Sequence, residues 1–172
     1  MNNERKWILR GGRVLNPAPF CLIGIVNVTP DSFSDGGKYI DPCNAVAHGL
    51  RLLDEGAGML DLGAESTRPF AEPVPEGEEI ARLMPVVARL REQRPDAVLS
   101  VDTLKAGTAR AALEGGAAII NAVSACVADP ALLDVLAEYK PGYVLMHSQG
   151  SPREMQVNPR YGNVVEEILA FF

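Results

Sequence analysis

Apolar and polar residues along this chain follow two different periods, and the points where the period changes mark its elements. Continuous or alternating apolar runs of about four to eight residues read as strands; apolar stripes recurring every three to four read as helices. KWILRGGRVL carries two short apolar pieces around Gly11–Gly12 and predicts a hairpin. Pro17 and Pro19 interrupt the chain before FCLIGIVN, a run that fits a strand buried on both faces. Asp41–Pro42 predicts a helix start, with Asp as N-cap and Pro in the first turn. Val46, Leu50 and Leu53 form that helix's stripe, and Gly56 stands where a helix stops. GMLDLG predicts a strand ending at Asp61, and Ile80, Leu83, Val87 and Leu90 mark the next helix. AVLSVD predicts a strand ending at Asp102, with a helix from about Leu104 to Gly115–Gly116. AAIIN follows, ending at Asn121, and then a second Asp-Pro start, Asp129–Pro130, with Leu132, Leu133 and Leu136 behind it. GYVLMH is the last strand, ending at His147, and Val164, Val165 and Ile168 mark a final amphipathic stretch.

After the hairpin the elements therefore alternate strand, helix, strand, helix, which implies an α/β fold with a parallel sheet. The loops after the strands are long and polar; those before them are short and bounded by glycine. That asymmetry fits a (β/α)8 TIM barrel, whose sites lie at the carboxyl ends of the strands. Residues 1–20 read as the hairpin and its lead-in, and residues 21–172 as the barrel domain, with about five of the eight βα units present. The chain is expected to be the amino-terminal portion of a longer one. EGAGMLDLGAES (55–66) and EGGAAIINAVSA (114–125) echo each other, as two turns of the same βα geometry would. No GxGxxG follows the first long strand, so a dinucleotide fold has no support.

Composition narrows the function. The 172 residues carry a net charge of −6, which argues against an extended basic surface for nucleic acid. No apolar run approaches the roughly 20 residues of a membrane span, and the first residues lack the apolar core of a secretory signal. Cys21, Cys43 and Cys126 are odd in number and widely spaced, which reads as reduced thiols in a cytoplasmic protein.

The chemistry gathers at the predicted strand ends: Asn27, Asp61, Asp102, Asn121 and His147. Each alone fits a loop cap, but at equivalent ends of parallel strands they share one mouth. Carboxylate and carboxamide groups pair with flat heterocycles that present adjacent donors and acceptors. Asn27 offers a hard carbonyl oxygen suited to Mg2+ beside a phosphate-bearing substrate. Arg68, in the loop ESTRPFAEPVPEGEE, is placed to clamp an anion. Glu76, Glu78 and Glu79 read as a helix first turn matched to its dipole rather than a metal site. No serine or cysteine partners His147 as in a hydrolytic triad, and there is no HExxH or CxxC pattern.

The stretches IVNVTPDSFSDGG, DLGAESTRP, LSVDT, AIIN with VSA, and MHSQGSPREMQ resemble dihydropteroate synthase, in that family's order and over most of the chain from residue 21 to about 156. The resemblance implies a TIM barrel that joins 4-aminobenzoate to (7,8-dihydropterin-6-yl)methyl diphosphate, with Mg2+, in folate biosynthesis. It implies that Asn27 helps hold Mg2+ and the diphosphate, and that Asp102 and Asn121 grip the pterin ring; Asp61 is expected to bind substrate from its place at the same mouth of strand ends. It places Thr67 and Arg68 near the diphosphate, and Phe33, Thr67 and Pro69 around the aminobenzoate and sulfonamide pocket. No residue is implied as a general acid or base; Asn27 and Arg68 position. The full-length enzyme would be a homodimer, and the portion here alone is expected to be inactive.

The chain departs from the family pattern at Ala122, where the family has Asp, and at Phe70, where it has Gly. Ala122 would remove a second carboxylate from the pterin side. Two other readings remain: a pterin-binding domain of a methyltransferase, and a pterin-binding remnant without catalysis. The loops around NVTPDSFSDGG and ESTRP favour the synthase, because methyl transfer involves no diphosphate.

Overall fold

A computed structural model describes residues 6–29, 41–65, 73–123, 125–150, 155 and 157–172. The hairpin consists of β1 (Trp7–Ile8) and β2 (Val14–Leu15), paired antiparallel with Trp7 opposite Leu15. The main sheet has five strands: β3 (Ile23–Asn27), β4 (Met59–Gly63), β5 (Leu99–Asp102), β6 (Ile119–Ala122) and β7 (Gly142–Leu145). All four pairings are parallel, and the spatial order is the chain order. A doubly wound sheet reverses its order at a switch point; a sheet that adds each strand beside the last does not, and is barrel-type. Helices α1 (Pro42–Asp54), α2 (Glu76–Gln93), α3 (Ala106–Glu114) and α4 (Ala131–Tyr139) connect the strands, and α5 (Val164–Phe171) follows β7.

Local chemistry sets the helix ends. Asp41 caps α1 by accepting from the Cys43 N–H at 2.8 Å, with Pro42 in the first turn. At the other end Gly56 takes φ +108°, its N–H reaching the Leu53 carbonyl while the Ala57 N–H reaches that of Leu52. Gly116, at φ +100°, repeats this pattern, with its own N–H on Leu113 and that of Ala117 on Ala112. The echo between the two Glu-Gly stretches is thus one C-cap motif used twice, each time launching a strand. Asp129 serves two helix starts at once, accepting from Ala131 N (3.1 Å) in α4 and Ala106 N (2.8 Å) in α3.

The strands alternate cleanly between two faces. Val26, Leu60, Leu62, Leu99, Val101, Ile120 and Ala122 face the helices and are fully buried with Leu83, Val87, Leu90 and Leu113. The inner face is apolar at its amino end, where Leu9 of the hairpin packs with Met59, Val98, Ala118 and Ile119. The approach is close: a Cβ on Gly142 would stand 2.7 Å from Leu9 Cδ2 and 3.1 Å from Trp7 Cζ2. Arg10 donates to the Leu113 carbonyl and Arg13 to the Ala97 carbonyl at 3.0 Å, fixing the hairpin across this end.

Four expectations change. FCLIGIVN is buried on one face only, since Ile23 and Ile25 are 52% and 62% exposed on the inner face of an edge strand. Asp61 lies within β4, two residues before its end. Ala122 points into the helix layer, on the face opposite Asn121, because successive strand residues face opposite ways. A carboxylate at that position would face the helices and not a ligand. His147 lies two residues beyond β7 and packs against Phe171 (4.7 Å between ring centres) and Tyr161 (5.8 Å).

Candidate active site

The strand register builds the site. Asn27 pairs with Gly63, Gly63 with Asp102, and Asp102 with Asn121, so these residues form one row across the carboxyl end of the sheet. The row beneath carries Ile25, Asp61 and Ser100. Asn121 Nδ2 donates to Asp61 Oδ2 at 2.9 Å, reaching across β5. This bond turns the Asn121 carboxamide and leaves its oxygen free to accept. Asp61 Oδ1 and Ser100 Oγ are buried without a hydrogen-bond partner. Each such group costs about 1–3 kcal/mol, and the two stand on paired residues one row beneath Asp102 and Asn121.

The Asp102 carboxyl is pushed up to about 7, by burial first and then by Asp61, Glu79 and Glu65. At neutral pH it therefore stands close to the balance between accepting and donating, the state in which it can match a heterocyclic N–H edge.

A second cluster lies behind the row. Glu79 is fully buried, and its Oε2 accepts from Lys105 Nζ at 2.8 Å and Thr108 Oγ1 at 3.1 Å. Lys105 Nζ also donates to Glu65 Oε2 at 2.5 Å, and that same oxygen accepts from the Val74 N–H at 3.2 Å. Burial acts to lower the Lys105 ammonium, but its bonds to Glu65 and Glu79 outweigh this and raise it. Glu79 stands in the first turn of α2 with Glu76 and Glu78, as expected, but unlike them it is buried. The signal was in its spacing: Glu79 falls four residues before Leu83, on the buried stripe of α2. Lys105 and Glu65 carried no comparable signal.

Residues 23–172 match the model of the pterin-binding enzyme family. The chain belongs to that family. It is 46% identical over 154 residues to dihydropteroate synthase of Mycobacterium leprae, a match covering 89% of this chain and 54% of the relative. Among solved structures, Xanthomonas albilineans dihydropteroate synthase with 4-aminobenzoic acid superposes with a TM-score of 0.81 at 46% identity, covering 96% of this chain and 58% of that one. The same enzyme in complex with 7,8-dihydropteroate gives 0.76 at 44% identity, over 93% and 55%. The chain spans about half the length of the relatives it matches. The barrel fold expected from the alternation is that of these neighbours, with five consecutive βα units present.

Within this pterin-binding fold the structure brings Asn27, Asp61, Asp102 and Asn121 to one face at one end. Phe33, Thr67, Arg68, Pro69 and Phe70 lie outside the described residues.

Proposed function

We propose that this protein is a dihydropteroate synthase, condensing 4-aminobenzoate with (7,8-dihydropterin-6-yl)methyl diphosphate in folate biosynthesis. The observation that carries the reading is the Asp102–Asn121 row over the unpartnered Asp61 and Ser100 atoms, in a chain this similar to synthases with 4-aminobenzoic acid and dihydropteroate bound. A pterin is flat and edged with adjacent ring and amino N–H groups. Asp102 accepts from that edge, and Asn121, steered by Asp61, accepts and donates beside it.

With the ring held, the aniline nitrogen attacks the exocyclic methylene. The C–N bond forms as the C–O bond to diphosphate breaks, and the nitrogen's extra proton leaves to solvent. No side chain needs to shuttle a proton; the protein's contribution is alignment and stabilisation of the departing anion. Arg68 and Thr67 serve the anion and Phe33 and Pro69 the aminobenzoate.

Magnesium fits the donor at hand. Asn27 supplies one hard carboxamide oxygen at the open end of β3, and among the described residues no three His, Cys, Asp or Glu side chains gather to form a cage. One protein ligand suits an ion that shares its coordination with a diphosphate and water, and it would offset the leaving group's charge. We read the working protein as a homodimer in the cytosol, a setting that suits three free cysteines. No helix among the described residues is long and apolar enough to cross a membrane.

The test is turnover of both substrates with Mg2+, followed by diphosphate release. Equimolar dihydropteroate and diphosphate are expected. Pterin binding without product would favour the remnant reading instead.

A further inference from the structure

A single side-chain bond decides which end of the Asn121 amide a ligand meets. Asn121 stands on β6 and Asp61 on β4, and Asn121 Nδ2 donates to Asp61 Oδ2 at 2.9 Å across the intervening β5. A carboxamide has a donor end and an acceptor end of nearly equal size, and can turn one for the other. A carboxylate accepts and does not donate, so it draws the –NH2 end toward itself and repels the oxygen. Asp61 carries that charge here, since it is among the groups that push the Asp102 carboxyl up. The Asn121 oxygen is thereby left for a ligand, with the second N–H of the same amide beside it.

Stability alone gives little reason for a carboxylate at this position. Among the described residues Asp61 takes one side-chain hydrogen bond, and its Oδ1 is buried without a partner. A charge removed from water with so few partners is costly, and a neutral or apolar side chain of similar size is seldom worse for the fold. The apolar choice is made two residues earlier on the same face of β4, where Met59 packs with Leu9 and Ile119. What the charge supplies, and an amide or a hydrocarbon would not, is one permitted orientation of Asn121.

We propose that Asp61 is a positioning residue that, by locking the Asn121 amide, makes the site select a 2-amino-4-oxo pteridine over its 2,4-dioxo counterpart. This rests on the synthase reading above. A pterin presents N1, an acceptor, beside its 2-amino group, a donor. The locked amide offers the complement, an N–H beside an oxygen. A 2,4-dioxo pteridine has the same shape but presents the reverse along that edge, an N1–H donor beside a carbonyl oxygen at C2. Only a turned Asn121 would match it, and turning the amide sets its oxygen against the Asp61 carboxylate. Asp61 thus acts on the choice of ring through Asn121.

The experiment compares 6-hydroxymethylpterin with 6-hydroxymethyllumazine, its 2-oxo counterpart, by calorimetric titration of the wild-type protein, Asp61→Asn and Asp61→Ala. The wild type is expected to favour the pterin by about 100-fold or more, since two hydrogen bonds are reversed in the lumazine. Asp61→Asn keeps the size and still bonds Asn121, but its own amide can accept from Asn121 or donate to it, so both orientations open. The preference is then expected to shrink by about 10-fold or more, chiefly through tighter lumazine binding. Asp61→Ala is expected to shrink it as well; if that variant does not fold, the near-isosteric Asp61→Asn decides alone. A preference left unchanged in Asp61→Asn overturns the proposal, even where both ligands weaken together, as a merely structural role would have it. A wild type that binds both rings alike overturns it too. A wild type that binds neither ring would instead overturn the synthase reading, and the proposal with it.

Discussion

At the amino ends of the strands, Leu9, Met59, Val98, Ala118 and Ile119 close against one another with Trp7 and Val144 alongside. At the carboxyl ends of the same strands, Asn27, Asp61, Asp102 and Asn121 share one face, two buried oxygens lack partners, and a carboxyl is held far from its ordinary range. The strands and the alternation are the same at both ends. What differs is what each end is for: the hairpin end gains stability from apolar contact and shape fit, and the mouth gives some of it up to keep groups ready for a ligand. Stability and binding should therefore separate by position along a single strand.

The sharpest way to break this comparison is at the hairpin end. Leu9→Ala removes a side chain that is 2% exposed and is expected to cost about 2–5 kcal/mol in urea unfolding, while leaving pterin affinity unchanged. If pterin affinity fell in proportion, the two ends would not be separable. At the mouth the opposite pattern is expected. Asn121→Ala should weaken pterin binding by about 10- to 100-fold with a stability change under about 1 kcal/mol, measured by calorimetry and urea unfolding.

The pH dependence sharpens the comparison further. In the unfolded chain Asp102 loses its proton near 3.8; in the folded, unliganded protein it keeps it to about 7. The folded form therefore binds the proton more tightly, and this contribution to stability is complete below 3.8 and lost as pH rises through about 7. Asp102→Asn, which cannot ionise, should flatten that decline in unfolding midpoint over the same window. The smallest effect is expected at a helix end that belongs to neither region. Gly56→Ala places a side chain at φ +108° and should cost roughly 1 kcal/mol of stability with no effect on binding.

Much of this was legible in the sequence because the signals were local. The Asp-Pro starts, the Glu-Gly stops and the strand runs each depend on a few adjacent residues, and the structure places an element at each. The polar row was legible for the same reason, since parallel strands of similar length bring their ends to one level. Three things were not. The inner face of β3 read as buried because an apolar run does not say whether anything lies across from it, and Ile23 and Ile25 are half open. Ala122 read as a lost ligand group, although simple alternation from Asn121 turns it toward the helices. The Glu65–Lys105–Glu79 link joins residues 14 to 40 positions apart in the chain, and no periodicity marks such a contact. Glu79 alone was within reach, through its place on the α2 stripe.

The central claim is that the row at the carboxyl end holds a pterin through Asp102. The most direct measurement is a calorimetric titration of 6-hydroxymethylpterin into wild-type protein and Asp102→Ala at one pH, with unfolding midpoints recorded alongside. Saturable one-to-one binding to the wild type is expected, with loss of about 100-fold or more in affinity for a variant that is as stable or more so. Equal affinity in the two proteins would contradict it, and would move the pterin off this row altogether.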